Sequence, residues 1–391
     1  MKSQLRSYLK SSELELGGAT DALGDGHWRF TIDDDQIGWV VLDRKDTSVN
    51  TISEEVLREF ATILDQIEGA MPRALVIRSA KSAGFAAGAD IHTLATMDAD
   101  ATVQLLTEAH SLLDRLEGLS CPTIAVIHGA ALGAGFELAL ACDYRIAIDG
   151  ATFGLPEVRL GLHPGLGGTV RLPELIDPLK AMEMMLTGKT AHTRRAKDLG
   201  IADLVIEERH LQGAIRAIIK GEVSKQTRGL MGKAFGLSAA RSLAAEQMRR
   251  ATQKKAPKDH YPAPFALIDT WALHGSDAKA MQKAEISSFA KLLQSDTSKN
   301  LIRAFTLRQT LKQGGKYSDD ISRVHVIGAG VMGAEIAAWI AMQGKLVSVT
   351  DPDEAALGKM IRRAGKMCKD AHFGSLATRD TLDRLMPDPR G

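Results

Sequence analysis

The chain has 391 residues, 45% of them hydrophobic and 25% charged, and 49 Lys plus Arg against 48 Asp plus Glu leave a net charge of +1. That length predicts at least two domains, and a balanced charge excludes a general electrostatic pull toward nucleic acid. No apolar run reaches the roughly 18 residues that a membrane helix needs, so no transmembrane segment is expected. The first 27 residues carry basic residues but no apolar stretch of the secretory kind, and they read as a mobile leader. Three widely spaced cysteines, Cys121, Cys142 and Cys368, argue against a disulfide framework or a zinc site, which fits a reducing, cytoplasmic setting.

From residue 28 to 42 two strands flank an Asp-Asp-Asp-Gln turn, and an amphipathic helix follows with Ser53 as its N-cap. A strand at 73 to 80 leads into KSAGFAAGADIHTL, residues 81 to 94, which reads either as a plain strand-to-helix loop or as a place where small side chains let the backbone approach a ligand closely. A helix over Thr102 to Glu117 comes next, and then CPTIAVIHG, a β-branched run ending at His128. Glycines at 129, 133 and 135 allow a tight turn before a short helix that begins near Ala134. Its first turn offers unpaired N–H groups that can hold an oxygen gaining negative charge. Glu137 sits at that same end, where a carboxylate can also serve only to stabilise the helix. Glu157 follows twenty residues later behind a Leu-Pro turn. The repeated succession of strand and helix predicts an α/β architecture.

Five motifs in order make residues 28 to about 210 resemble the crotonase, or enoyl-CoA hydratase/isomerase, family. They are Asn50-Thr51-Ile52, Phe85 to Ile91, Gly133 to Glu137, Leu155 to Gly161 and Pro164 to Thr169. The resemblance implies a ClpP-like spiral of ββα units, closed by a helical segment like that at 186 to 206. It implies that the Ala87 and Ala134 amides hold the thioester oxygen of an acyl-CoA. The family more often has glycine at the second position, but a backbone donor survives a methyl side chain. By the same resemblance Ala86, Gly88, Ala89, Asp90, Gly133 and Gly165 contact the substrate.

Adding water to a 2-enoyl thioester puts charge on the thioester oxygen, takes a proton from water and delivers one to carbon 2. Two carboxylates can share that proton traffic. The spacing of Glu137 and Glu157 equals the hydratase pattern, and the assignment expected is Glu137 activating water and Glu157 serving carbon 2, in a coupled pair. Relatives that only isomerise double bonds often keep one glutamate, so the pair favours hydration. His128 and His163 lie close by in sequence, but no HxxxH or HExxH pairing supports a metal. The glycine-rich run 161 to 168 lacks the Lys-Ser or Lys-Thr of a P-loop and reads as a shaped turn beside Glu157.

Residues 211 to 320 read as a helical linker. Its basic run, Lys233, Arg241, Arg249, Arg250, Lys254, Lys255 and Lys258, faces only Glu246 in sequence. A solvated helix face explains it, and attraction of CoA phosphates or an acidic membrane surface is the sharper alternative. The linker resembles the connecting helices of multifunctional β-oxidation proteins, which join a hydratase to a 3-hydroxyacyl-CoA dehydrogenase. Residues 322 to 351 agree: strand, Gly328-x-Gly330-x-x-Gly333 with Val331 and Met332 inside the fingerprint, helix, strand, then Asp351. This is the Rossmann dinucleotide pattern, and Asp351 favours NAD over NADP because a carboxylate repels a 2′-phosphate.

Residues 321 to 391 are expected to supply two strands of a doubly wound domain that needs about six. The resemblance places the catalytic histidine and substrate domain of the dehydrogenase farther on. The expectation is therefore a truncated bifunctional chain with exposed sheet edges and apolar surface, active as an enoyl-CoA hydratase of β-oxidation but not as a dehydrogenase. Hydration needs no cofactor, and NAD belongs to the incomplete domain. A Δ3,Δ2-enoyl-CoA isomerase and a non-catalytic acyl-CoA-binding module docking to thiolase stay open as alternatives. Family likeness implies a homo-oligomer and a thiolase partner.

Overall fold

Strand residues 37 to 42 alternate between two buried faces, and that alternation organises the first half of the molecule. A computed structural model describes residues 14–18, 26–226, 235–314, 321–371 and 373–389. In chain order the first nine strands are β1 (Trp28–Ile32), β2 (Ile37–Leu42), β3 (Ala74–Ser79), β4 (Thr123–Ile127), β5 (Ala130–Leu132), β6 (Tyr144–Ile148), β7 (Thr152–Gly154), β8 (Thr190–His192) and β9 (Leu204–Ile206). A six-stranded sheet has the order β1-β2-β3-β4-β6-β9, and β5-β7-β8 form a second sheet. Only the β1–β2 hairpin of the large sheet is antiparallel.

Val40, Leu42, Leu75, Ile77, Ala125 and Ile127 join the main core, while Trp39, Val41, Val76, Ile124 and Val126 point the other way. That second face is covered by Leu211, Ile215 and Ile218 of the Leu211–Ile219 helix. Both faces are covered, which is why the parallel strands read as nearly continuous apolar runs. A helix runs Glu54–Ala70, and the Ser53 hydroxyl accepts the Val56 N–H as expected.

Arg145 on β6 is 1% exposed. It donates to the Ile201 and Cys142 carbonyls and pairs with Asp203 at 3.1 Å. Its loss strands a buried carboxylate, so Arg145→Ala should lower stability by about 3–5 kcal/mol. The measure is a lower urea midpoint at unchanged slope; an unchanged midpoint would show that the pair is not structural.

Two expectations about the ends of this unit change. Residues 1–13 and 19–25 of the expected leader lie outside the described residues, but Glu15 is anchored. Its amide donates to Glu208 at 2.9 Å, and Arg78 donates to its carbonyl. The expected linker, as far as Gln309, belongs to the same compact unit as the sheet. Apolar residues explain this: Ala263, Leu267, Ile268, Trp271, Met281 and Phe289 enter the main core. Lys233 lies outside the described residues. Of the other basic residues expected to face only Glu246, Arg241 is buried and donates to the Phe235 and Gly236 carbonyls. Arg249 pairs with Asp269 at 2.7 Å.

The second unit runs from Thr310 to Gly391. Three parallel strands, β10 (Arg323–Ile327), β11 (Leu346–Thr350) and β12 (Leu385–Pro387), make a sheet in that order, one strand more than expected. Helices Val331–Met342 and Glu354–Asp370 pack on it through Ala334, Ala337, Ala338, Met360 and Ala364. The expected apolar exposure is present: Ile327 is 86% and Met332 75% exposed. Among the described residues, no helix is long and apolar enough to cross a membrane.

Candidate active site

Strands β4 and β5 deliver the chain to Gly133, and the Ala134–Leu140 helix then carries Glu137 inward, 2% exposed. Close approach is built in at Gly135, where a Cβ would lie 2.5 Å from that of Ala86. No side chain larger than hydrogen fits there, so the 84–90 loop and the 133–137 turn lie side by side.

Those two stretches line an apolar cleft with both glutamates at its wall and Leu105, Leu106, Leu160 and Phe289 among its lining. Gly88, Ala89, Asp90, Gly133 and Gly165, expected to contact substrate, all line it as well. Ala86 does not. It is buried behind the cleft, with its amide on the Ala130 carbonyl at 3.0 Å and its own carbonyl accepting Leu132 N–H at 2.9 Å. Asp90 caps the Ile91–Leu94 helix and pairs with Arg44 at 2.8 Å. Burial pushes its carboxyl up, but the Arg44 bond and charge outweigh that and hold it below the usual range.

The expected pair of amide donors needs one correction. Ala87 lines the cleft, but its N–H donates to the Asn50 carbonyl at 2.8 Å. Asn50 is itself clamped, its side-chain amide donating to Leu42, Ser79 and Phe85. Asp90 N–H goes to Ile52, also at a pairing distance of 3.0 Å. Between those two engaged amides, the N–H groups of Gly88 and Ala89 have no hydrogen-bond partner among the described residues, and neither has that of Ala134. Ala89 and Ala134 both line the cleft, so their amides are available to a ligand there.

Glu137 accepts two amides on one oxygen, Oε1, from Leu166 and Gly168, each at 2.8 Å. Burial, then the nearby charge of Glu285, push its carboxyl up to about 7. Glu157 opens a 3-10 turn, Glu157–Leu160, behind Pro156. Its Oε2 is closed off from solvent and has no hydrogen-bond partner among the described residues. Burial, then the charge of Glu137, push it well above the carboxylate range. Glu137 is thus poised to ionise near neutrality, and Glu157 holds its proton more tightly than a free carboxyl does. Two carboxyls so perturbed on one cleft suit acid–base work.

Neither neighbouring histidine enters the cleft wall. His128 Nε2 meets the Lys81 carbonyl at 2.7 Å. His163 lies between the Pro164 carbonyl at 2.7 Å and the Ser288 hydroxyl at 2.9 Å. Burial depresses both imidazoles and keeps them neutral. Sequence reasoning missed Glu285, which is 0% exposed and lies beside the Glu137 turn. It has no motif of its own.

In the second unit the fingerprint turn has the shape the pattern predicts. Gly333 seats the helix against the strand, since a Cβ there would fall 1.9 Å from the Gly328 carbonyl oxygen. Added Cβ atoms at Gly328 and Gly330 would meet nothing within 4 Å, and Val331 and Met332 are exposed, so the turn lies open to a pyrophosphate. Asp351, just past β11, accepts the Ala329 amide at 2.6 Å and the Asp353 amide at 2.8 Å. The residues present fit a dinucleotide.

An α/β fold with buried Glu137, half-buried Glu157 and free amides on one apolar cleft suits general acid–base chemistry on a polarised carbonyl. A family model described as enoyl-CoA hydratase/isomerase matches residues 34–256, and one described as 3-hydroxyacyl-CoA dehydrogenase, NAD binding domain, matches residues 323–388. The chain belongs to the enoyl-CoA hydratase/isomerase family. It is 38% identical over 339 residues to the fatty acid oxidation complex subunit alpha of Aliivibrio fischeri, covering 82% of this chain and 48% of that one. With the subunit of the same description from Shewanella baltica it shares 35% over 379 residues, covering 92% of this chain and 53% of that one. The chain spans about half the length of the curated relatives it matches. An enoyl-CoA hydratase crystal structure from Bacillus halodurans superposes with a TM-score of 0.53 at 21% identity, over 71% of this chain and all of that one, a likeness of fold.

Proposed function

We propose that the first unit hydrates 2-trans-enoyl-CoA thioesters to 3-hydroxyacyl-CoA, the hydration step of fatty-acid β-oxidation. The observation that carries this is the pair of perturbed carboxyls beside unpartnered amides. The thioester oxygen takes the Ala89 and Ala134 N–H groups. Ionised Glu137 removes a proton from water as its oxygen bonds to carbon 3, and the π electrons move toward the thioester oxygen as an enolate. Glu157 then passes its proton to carbon 2, and the enolate electrons form the new C–H bond. One water is added, Glu137 is left protonated and Glu157 as the anion, and a proton passing from Glu137 to solvent and from solvent to Glu157 restores the pair for the next turnover. The apolar cleft, with Leu105, Leu106 and Phe289, takes the acyl chain.

The test is loss of the ultraviolet absorbance of crotonyl-CoA, and of a longer 2-enoyl-CoA, on adding the protein. Binding of both without turnover would leave an acyl-CoA-binding module instead. Appearance of a conjugated product from 3-enoyl-CoA without hydration would mark an isomerase.

The hole has its own test. Ala134 is the first helical residue, a position where proline's fixed φ is tolerated and its missing N–H costs no helix bond. Ala134→Pro should therefore reduce kcat about 10²-fold by removing one donor. A parental kcat in a folded variant would remove Ala134 from the hole.

For the second unit we propose NAD as the dinucleotide, its pyrophosphate on the Gly328–Gly333 turn and its ribose hydroxyls on Asp351. NAD would supply the hydride acceptor for 3-hydroxyacyl-CoA oxidation in a protein that carries the remaining dehydrogenase parts. Calorimetric titration should find NAD binding more tightly than NADP, with Asp351→Asn narrowing the difference. Equal affinity in the parent would remove Asp351 from ribose recognition. A thiolase partner and a homo-oligomer are the further proposals that the relatives' description as a complex subunit supports.

A further inference from the structure

The turn that grips Glu137 is held from its other side by a residue far away in sequence. Four consecutive amides, those of Leu166, Gly167, Gly168 and Thr169, alternate between two carboxylates. Leu166 and Gly168 donate to Glu137. Gly167 donates to Glu285 Oε1 at 2.7 Å and Thr169 to Glu285 Oε2 at 3.2 Å, and the Thr169 hydroxyl donates to the same Oε2. His110 Nε2 lies 3.1 Å from Glu285 Oε1 and 3.0 Å from the Gly165 carbonyl. Glu285, Ser288 and Phe289 share one face of the Ala278–Leu293 helix. Ser288 meets His163, and Phe289 lies where a Cβ on Gly165 would be, at 2.8 Å. The helix thus grips the 163–169 segment at three points.

We propose that Glu285 is a positioning residue for the hydration reaction: it fixes the Gly167–Thr169 turn that orients Glu137 and sets a negative charge beside that carboxyl. This rests on the hydratase reading of the cleft. Facing Glu137 and Glu285 are Glu157 from the 3-10 turn, His110 from the Ala99–Glu117 helix, His163 from the loop and Arg171 from the Gly168–Leu175 helix. Burial opposes ionisation of Glu285, but the hydrogen bond and charge of His110 outweigh it and hold the carboxyl below its usual range. Burial likewise disfavours imidazolium at His110, and Glu285 reverses that. An ionised Glu285 then faces a Glu137 that must ionise for each turnover, and its charge raises the pH at which Glu137 does so by more than the charge of His110 lowers it.

Two variants of the whole chain separate this from a merely structural role. Glu285→Gln removes the charge at constant volume. The acid limb of its kcat/KM–pH profile for crotonyl-CoA should move down by about one pH unit. Glu285→Asp keeps the charge but shortens the reach. Its limb should stay in place, while kcat falls tenfold or more and KM changes little. An unmoved limb in Glu285→Gln overturns the proposal, and so does a parental kcat in Glu285→Asp, which decides the matter if the glutamine variant does not fold. Failure of the parent to hydrate crotonyl-CoA defeats the hydratase reading instead, and is seen before either variant is made.

Discussion

Replacing Glu157 with glutamine should leave a folded protein that binds enoyl-CoA and hydrates it about 10³–10⁴-fold more slowly, the upper part of the range for a proton-transfer group. Glutamine has the same shape and no proton of comparable acidity, so only the delivery to carbon 2 is removed. Because Oε2 of Glu157 is buried with no hydrogen-bond partner among the described residues, the neutral amide meets no new charge penalty there. The unfolding midpoint should hold or rise, and crotonyl-CoA should bind as in the parent. Hydration at the parental rate would assign the proton at carbon 2 to another group.

Glu137→Gln should reduce the rate by a similar factor, about 10³-fold, through loss of the base. Its amide oxygen can still accept the Leu166 and Gly168 N–H groups, so the turn should survive. The pH behaviour distinguishes this variant. On the proposed mechanism Glu137 must be ionised in the parent, so hydration should rise with pH through about 7 and fall again where Glu157 loses its proton. The two limbs belong to the pair rather than to one residue each. Stability runs the opposite way. A carboxyl whose folded pKa is raised binds its proton more tightly when folded, so its contribution is full below the unfolded value. That contribution is lost as pH rises toward about 7. Glu137→Gln should therefore be more stable than the parent at pH 8, by a few kcal/mol. Equal stability of the two at pH 5 and pH 8 would mean that Glu137 is not perturbed.

The strands and most helices of the first unit were legible because their causes are local: period-two burial, the Ser53 cap and glycine turns. The Glu pair was legible because it sits in motifs that link turn, helix start and carboxylate within a few residues. Ala87 shows the limit. Small side chains announce a loop that approaches a ligand, but which amide is left free depends on pairing with Asn50 and Ile52, almost forty residues earlier. Glu285 was illegible for the same reason carried further. Its helix is ordinary in pattern, and its partners, His110 and the 167–169 amides, are joined to it only by packing. The expectation of a linker failed there too, since polar composition hid the few apolar residues that anchor those helices in the core.

Glu285 meets His110 across 175 positions of chain and Gly167 across 118. Contacts that close such long loops form after the local ones. During synthesis the strands and both glutamates emerge well before the Ala278–Leu293 helix, and until it docks the Gly167 and Thr169 amides have no carboxylate to meet. Sheet formation and catalytic competence are then separate events in time. In refolding, circular dichroism would recover before hydration, and the lag between them would time the docking of one helix.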